Sequence, residues 1–427
     1  MIVFYGKWKV WTSFQELCIY LEKDCLLMDD TDRDDTILAK ATIIVPTPWV
    51  SQLHDIYAKY QDKVIAELDM CYDFMQSQGL HPQSIGITGT DGKSTVTRLI
   101  AETLRQLLPS HHVHITWNFD DAMSKTILDI LKAWTQSEKH IFVTECSSFM
   151  LYPIKRYHFD IGIRTNFAPD HLNWHPNMPE YFNAKQQLFV HSDICYTTSE
   201  VFEQLTPTVK EKTHIYNQTY DLSTTNFVWK HNEKNCALTL DVVKQFCASF
   251  WAEQSDTSRH SEQSEESREW ISDKSIYKAI STIKPLKHRM QPIKEFNGVT
   301  WYDDGKSTSA QSLGAALSSF DKPIVVICWG SDKWDNFDHL APLFKHNTVQ
   351  GIFLWQTSPQ FASLFDTIWI PYTLTSSMTE CVEQARHAAQ QHNVDTILFS
   401  PGCASFDLFK NYEDRAQQYI AAIENLQ

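Results

Sequence analysis

The segment Ser84-Ile85-Gly86-Ile87-Thr88-Gly89-Thr90-Asp91-Gly92-Lys93-Ser94-Thr95 constrains this chain more than any other, because a β-type run enters a glycine-rich loop and leaves into the helical pattern Lys93–Leu108. Glycine lets successive backbone N–H groups converge on an anion, and the helix N-terminus adds partial positive charge. Lys93 is placed to reach the terminal phosphates of a nucleotide, and the Ser94 hydroxyl to ligate Mg²⁺. The strict G-x-x-x-x-G-K-[ST] pattern is not met, since Ile87 holds its first position; an exposed turn that binds nothing is the alternative. The chain has 12 glycines in 427 residues, where average usage of about 7% would give roughly 30. Three of the 12 fall between Gly86 and Gly92. A second Gly-Lys-Ser, at Gly305–Ser307, follows Trp301–Asp304 without upstream glycines and is not read as a second phosphate loop.

Short β-rich runs alternate with longer helical patterns, the signature of α/β units around mainly parallel sheets. A first series predicts strands at Met1–Tyr5, Ala41–Val45 and Lys63–Ala66 and a helix at Ser13–Lys23. A second predicts strands at Ser84–Thr88, His112–Trp117, His140–Glu145, Asp160–Arg164 and Asp193–Thr197, with helices at Lys93–Leu108 and Met178–His191. A third, from about Pro285, predicts strands near Val299–Tyr302, Pro323–Trp329, Gly351–Trp355, Thr367–Ile370 and Thr396–Ser400. The expected architecture is three α/β domains: a reduced Rossmann-like domain at 1–82, a central P-loop ATPase-type parallel-sheet domain at 83–284, and a Rossmann-like domain at 285–427. Glu253–Glu269 carries no apolar residue that could bury a face, so it is read as a solvated insertion, with a phosphorylation cassette as the alternative.

Hydrophobic content of 43% with 21% charged residues is that of a globular protein. No apolar run approaches the ~18 residues of a membrane span, and Met1–Trp11 lacks a signal-peptide layout, so a cytoplasmic protein without membrane insertion is expected. Ten cysteines form no C-x-x-C pair and read as reduced, mostly buried thiols. With 52 acidic against 37 basic side chains, net −15, and no basic block, nucleic acid is a poor partner. A small anionic substrate stays open, because a local cluster of cations and N–H groups can oppose the global sign.

Gly89–Thr95 resembles the variant phosphate loop of the Mur ligase superfamily, ATP-dependent enzymes that join an amino acid to a carboxylate. Further segments resemble, in order, those of its D-glutamate-adding members: Thr144–Leu151 (TECSSFML), Asn166–His175 (NFAPDHLNWH), His231–Asn235 (HNEKN), Lys287–Met290 (KHRM), Tyr302–Ser309 (YDDGKSTS), Trp329–Phe337 (WGSDKWDNF) and Ser400–Tyr412 (SPGCASFDLFKNY). The resemblance runs from about Ser84 to the C-terminus. It implies a monomeric ligase of peptidoglycan precursor synthesis, in which the carboxylate of UDP-N-acetylmuramoyl-L-alanine attacks the γ-phosphate of ATP and the amine of D-glutamate attacks the acyl phosphate. A related ligase using another amino acid, or a nucleotide-binding module without catalysis, are the other readings.

By that resemblance, Gly89, Thr90, Asp91, Gly92, Lys93, Ser94 and Thr95 hold the ATP phosphates. Asn232 and Asn235 lie near the adenosine, and Arg289 and Asp304 act on the nucleotide side. Ser94 and Glu145 would ligate a first Mg²⁺ and His171 a second, although a histidine in this context is also an ordinary structural residue. Lys185, which would otherwise read as a solvated helix lysine, would be carbamylated by CO₂ and complete the catalytic set with Lys93 and His171. Asn118 and Ser147 would contact the muramoyl-alanine end; a turn role is the alternative for Asn118. Lys306 and Thr308 would bind D-glutamate, with Lys333, Ser405 and Phe406 holding its carboxylates. The sequence departs from the family at Met150, Asn173, Trp174, Gly305, Trp329 and 117–120, and most strongly in residues 1–82, where the glycine-rich first turn that supports the UDP group is missing.

Overall fold

The computed structural model describes residues 1–6, 11–48, 50–116, 122–133, 138–172, 174–216, 220–227, 229, 231–257, 272–329, 337–354, 358–405 and 408–426. Asn118, Lys333, Phe406 and most of the 253–269 insertion lie outside this set. The chain divides into two compact units, one of Met1–Asn226 with Glu233–Ile283 and one of Phe227–Asn232 with Lys284–Gln427.

The first unit holds two sheets. Strands β1 (Ile2–Tyr5), β2 (Cys25–Met28) and β3 (Ile43–Pro46) pair in parallel in the order β2-β1-β3. On the helix Trp11–Tyr20, Trp11, Phe14, Leu17 and Cys18 recur at helical spacing and pack into the core that contains Phe4. The second sheet comprises β4 (Gln83–Thr88), β5 (His111–Thr116), β6 (Lys139–Glu145), β7 (Phe159–Arg164), β8 (Ser192–Thr197) and β9 (Thr213–Ile215), in the order β5-β6-β4-β7-β8-β9. Every pairing in it is parallel. Strand β4 therefore sits between β6 and β7, so that Glu145 lies beside Ile87 and Arg164 beside Thr88. Ligands of open parallel sheets bind outside the carboxyl ends of the strands, which is where the glycine loop emerges.

The two sheets share one hydrophobic core. They are also latched by Asp69, a buried residue on the helix Glu67–Ser77. Its carboxylate accepts the backbone N–H groups of Arg156 and Tyr157 at 2.8 Å and of Lys155 at 2.9 Å. Three charge-assisted bonds offset the cost of burying that carboxylate.

The second unit holds β10 (Gln291–Phe296), β11 (Val299–Asp303), β12 (Ile324–Trp329), β13 (Thr348–Leu354), β14 (Tyr372–Thr375) and β15 (Thr396–Gly402), ordered β10-β11-β15-β12-β13-β14. Only the β10–β11 pair is antiparallel.

Two expected strands are absent as such. Lys63–Ala66 makes a single bridge, Val64 to Ile44, before the helix Glu67–Ser77 begins. Thr367–Ile370 straddles the end of the helix Ser358–Ile368, whose Phe361, Leu364, Phe365 and Ile368 are buried at helical spacing; the strand comes later, as β14. Lys185, for which a solvated helix lysine is the alternative to a modified catalytic one, is only 1% exposed. All ten cysteines are free thiols, nine of them buried.

Candidate functional site

The loop after β4 depends on its glycines. Gly89 has φ +143° and Gly92 φ +81°, backbone that L side chains rarely adopt. A Cβ at Gly89 would lie 1.9 Å from Thr165 Oγ1. Gly92 is the left-handed N-cap of the helix Lys93–Leu107, whose first-turn N–H groups have no intrahelical acceptor. Asn166 clamps the loop: its Oδ1 accepts the N–H groups of Thr90 and Asp91 at 3.0 and 2.9 Å, while its Nδ2 donates to the Asp91 carbonyl. Thr165 Oγ1 donates to the same carbonyl, and Thr90 Oγ1 donates to the Ala168 carbonyl. Thus the segment after β7 holds the phosphate loop in place.

Lys93 Nζ donates to the loop carbonyls of Gly89 and Thr90 at 3.0 and 2.7 Å. Ser94 is buried in the first helical turn. At the end of β6, Glu145 is buried and its Oε2 has no hydrogen-bond partner among the described residues. A buried carboxylate oxygen without a donor is costly in isolation and suits a hard cation. Among the described residues no three His, Cys, Asp or Glu side chains could hold a metal by themselves. Mg²⁺ commonly takes one or two protein oxygens with phosphates and waters supplying the rest, so Ser94 and Glu145 fit that ion when a nucleotide is bound.

Lys185 projects from the helix Met178–Val190 to the same loop, donating to the Gly89 carbonyl at 2.7 Å. Its Nζ lies 4.8 Å from the Tyr181 ring centroid. Burial first, then the neighbouring charges of Lys93 and Arg164, hold its amine well below the usual lysine range. His171 sits in left-handed backbone, φ +57°, with Nε2 3.3 Å from Asp170 Oδ2 and its ring against Phe149 and Tyr181. Ser147 caps the short helix Ser148–Leu151, its hydroxyl accepting the Met150 N–H at 3.2 Å. Asn235 lies beside the loop, its Oδ1 3.1 Å from where a Gly92 Cβ would stand. Asn232, three residues earlier, belongs to the other unit.

In the second unit, the segment after β11 meets the end of β15. Asp304 is buried, and its carboxylate accepts the Ser400 hydroxyl at 2.8 Å and the Met290 N–H at 3.2 Å. Burial pushes its pKa up to about 7 even though Arg289 pulls it down. Asp303 pairs with His288 Nδ1 at 2.6 Å. Arg415, fully buried, donates to the carbonyls of Gly305, Cys403 and Ala404, tying the Lys306–Thr308 segment to the loop carrying Ser405. Lys306 Nζ lies 5.3 Å from the Tyr412 ring centroid.

Sequence reasoning did not single out the clamp of Thr165 and Asn166, the Asp69 latch, or the Arg415 tie. It also missed the loop after β2, where the Tyr5 hydroxyl donates to Asp30, His54 Nε2 lies 3.0 Å from the same carboxylate, and Arg33 holds Asp55 through two bonds of 2.7 Å. The signal there was Arg33 alone within the acidic run Asp29–Asp35. Gly6, at φ +92°, ends β1 at the same edge of the sheet.

Comparison with known proteins matches residues 87–253 to the Mur ligase middle domain. The chain is 29% identical to the UDP-N-acetylmuramoylalanine--D-glutamate ligase of Caldicellulosiruptor bescii over 85% of this chain and 79% of that protein. It is 28% identical to the ligase of the same name from Aquifex aeolicus, over 91% and 89% of the two chains. Among solved structures, the fold resembles MurF ligase from Thermotoga maritima in complex with ADP (TM-score 0.56, 13% identity, 91% and 90% covered). It also resembles the Mycobacterium tuberculosis folylpolyglutamate synthase complexed with ADP (TM-score 0.57, 11% identity, 84% and 93% covered). With its parallel sheets, its glycine loop clamped at the carboxyl end of β4, and relatives matched along most of its length, the chain is similar to Mur ligases, and in sequence to those named as D-glutamate-adding enzymes.

Proposed function

We propose that this chain is an ATP-dependent ligase that adds D-glutamate to UDP-N-acetylmuramoyl-L-alanine in peptidoglycan precursor synthesis. The observation that carries the reading is the loop Gly89–Ser94, with its left-handed glycines, lysine and helix start, after a strand whose Ile87 lies in register with Glu145, a buried carboxylate with an oxygen that has no hydrogen-bond partner among the described residues.

The chemistry requires two anions, the substrate carboxylate and the ATP γ-phosphate, to approach each other. Catalysis is therefore mostly neutralisation and alignment. In this reading the N–H groups at the start of the helix Lys93–Leu107, beyond those of Thr90 and Asp91 that Asn166 engages, cradle the phosphates, and Lys93 exchanges its carbonyl partners for phosphate oxygens. Ser94 and Glu145 would hold one Mg²⁺ and His171 another, the ions supplying charge neutralisation between the reacting groups. Lys185, whose burial disfavours the charged ammonium, is chemically disposed to take up CO₂ and present a carbamate to that region. Lys306, Thr308 and Ser405, with Lys333 and Phe406, receive D-glutamate; two lysines suit a dicarboxylate better than a neutral amino acid. The edge formed by Gly6, Asp30 and Arg33 is the position for the UDP end, because it lies at the carboxyl ends of β1 and β2. A cytoplasmic monomer is the form expected to act on these soluble substrates.

The deciding measurement is phosphate release from ATP with UDP-N-acetylmuramoyl-L-alanine across a panel of amino acids. Stimulation by D-glutamate is expected; stimulation only by another amino acid would reassign the specificity.

A further inference from the structure

A second cationic side chain is buried beside the strand that carries the glycine loop, and among the described residues it has no ion-pair partner. Arg164, the last residue of β7, is 0% exposed, and among the described residues none of its three guanidinium nitrogens has a hydrogen-bond partner. It is held by faces of aromatic rings, with its Cζ 4.0 Å from the Phe182 centroid and 4.6 Å from that of Phe167. Phe167 in turn packs on Phe182 at 5.1 Å and on Tyr181 at 5.2 Å. Tyr181 is the ring that carries Lys185. Arg164 and Lys185 thus share one layer of three aromatic rings, and among the described residues neither forms an ion pair.

An arginine inside a core is ordinarily matched by a carboxylate, since an unpaired buried charge is strongly destabilising. Here the charged groups acting on Lys185 are Lys93 and Arg164, opposed by Asp91 and Asp170, which lie nearer the loop and His171. Burial lowers the Arg164 guanidinium to about 9, which leaves it a cation at neutral pH. If Lys185 stayed an amine, this charge would serve nothing visible in the site. If Lys185 becomes an anion, the repulsion turns into attraction.

We propose that Arg164 is the positioning counter-cation of a Lys185 carbamate, favouring its formation and retaining it. The proposal rests on the reading of Lys185 as the carbamylated residue. In the step, the lone pair of the neutral Lys185 Nζ attacks the carbon of CO₂ and an N–C bond forms. One C=O electron pair moves onto oxygen and one proton leaves Nζ for solvent, so the side chain passes from neutral to −1. Arg164 aids this twice, by opposing protonation of the amine that must attack and by attracting the carbamate through the aromatic layer. It acts through space, without touching substrate.

The test titrates enzyme in CO₂-depleted buffer with ¹³C-bicarbonate, reading the carbamate by ¹³C NMR and phosphate release in parallel. Wild type is compared with Arg164→Met, which keeps length without charge, and Arg164→Lys, which keeps charge. The bicarbonate needed for half-occupancy is expected to rise about tenfold or more in Arg164→Met, the order of effect that loss of one buried neighbouring charge implies. Arg164→Lys should stay near wild type, and the KM for ATP should be unchanged in both. Equal half-occupancy in wild type and Arg164→Met overturns the role of Arg164 while leaving the Lys185 reading intact. A wild-type enzyme without carbamate signal at saturating bicarbonate overturns that reading and the proposal with it. Should Arg164→Met fail to fold, Arg164→Lys against Arg164→Gln reads the same charge dependence.

Discussion

The tripeptide Gly-Lys-Ser stands at two strand ends, Gly92–Ser94 beyond β4 and Gly305–Ser307 beyond β11, and the two copies are built differently. In the first, the lysine opens a 15-residue helix and the glycine is left-handed. In the second, the helix Ala310–Leu317 starts later, and the backbone donors are already used: Gly305 N–H to Asp303 Oδ1, Lys306 N–H to the His288 carbonyl, Ser307 N–H to the Asp304 carbonyl. The Ser307 hydroxyl pairs with that of Ser312. A phosphate cradle needs N–H groups aimed at one point, and the second segment offers its lysine instead. Identical residues therefore give, in the proposed reading, a backbone cradle in one place and a side-chain cation in the other.

The sharpest way to break this distinction is a pair of glycine substitutions. Gly89→Ala is expected to lower kcat/KM for ATP by about 10³-fold, the scale of losing preorganised donors, because its Cβ would collide with Thr165. Gly305→Ala, whose Cβ would lie 2.7 Å from that of Ala416, should cost about 1–3 kcal/mol of stability and leave ADP affinity unchanged. Calorimetric ADP titration separates them, and equal loss in both would erase the contrast. Next in size, Lys185→Ala should lower kcat about 10²-fold without response to bicarbonate; full activity in that variant excludes a role for the modification. Lys306→Ala should raise the KM for D-glutamate roughly tenfold or more, as loss of a charged hydrogen bond implies, with the KM for ATP constant. A shift in the ATP value instead would place Lys306 with the nucleotide after all.

The smallest effect concerns Asp304. Its folded pKa of about 7 lies above the ordinary value, so between about 4 and 7 the folded chain retains a proton that the unfolded chain has released. Its contribution is thus most favourable at low pH and declines as pH rises through that window. Thermal midpoints of wild type relative to Asp304→Asn should fall by a few degrees (~2–4 °C) from pH 5 to 7.5. A constant difference across that range would contradict the shift.

How far the sequence discloses the fold depends on how each segment is buried. The six-stranded parallel sheet is legible because its strands are short apolar runs between helical patterns, and β4 through β8 fall within a residue or two of expectation. The hairpin β10–β11 is equally readable from Asn297-Gly298, both at positive φ, a strong turn signal. Thr367–Ile370 misled because β-branched residues there serve a helix whose buried face was set further upstream. Within the site, the loop and Glu145 are legible from residue type and strand order. Asn166 and Arg164 are not, since a clamp between successive strand ends and an arginine lying on aromatic faces exist only once the sheet has assembled.

The Asp69 latch gives the first unit a property beyond stability. By joining the small sheet to the segment leading into β7, it ties the edge proposed for UDP and the loop proposed for the γ-phosphate together within one compact unit. The span between them then acts as a ruler. An acceptor must have its carboxylate one fixed length from its nucleotide end, so a precursor lacking the alanine, or already carrying a longer peptide, would be refused by dimension before its chemistry was read.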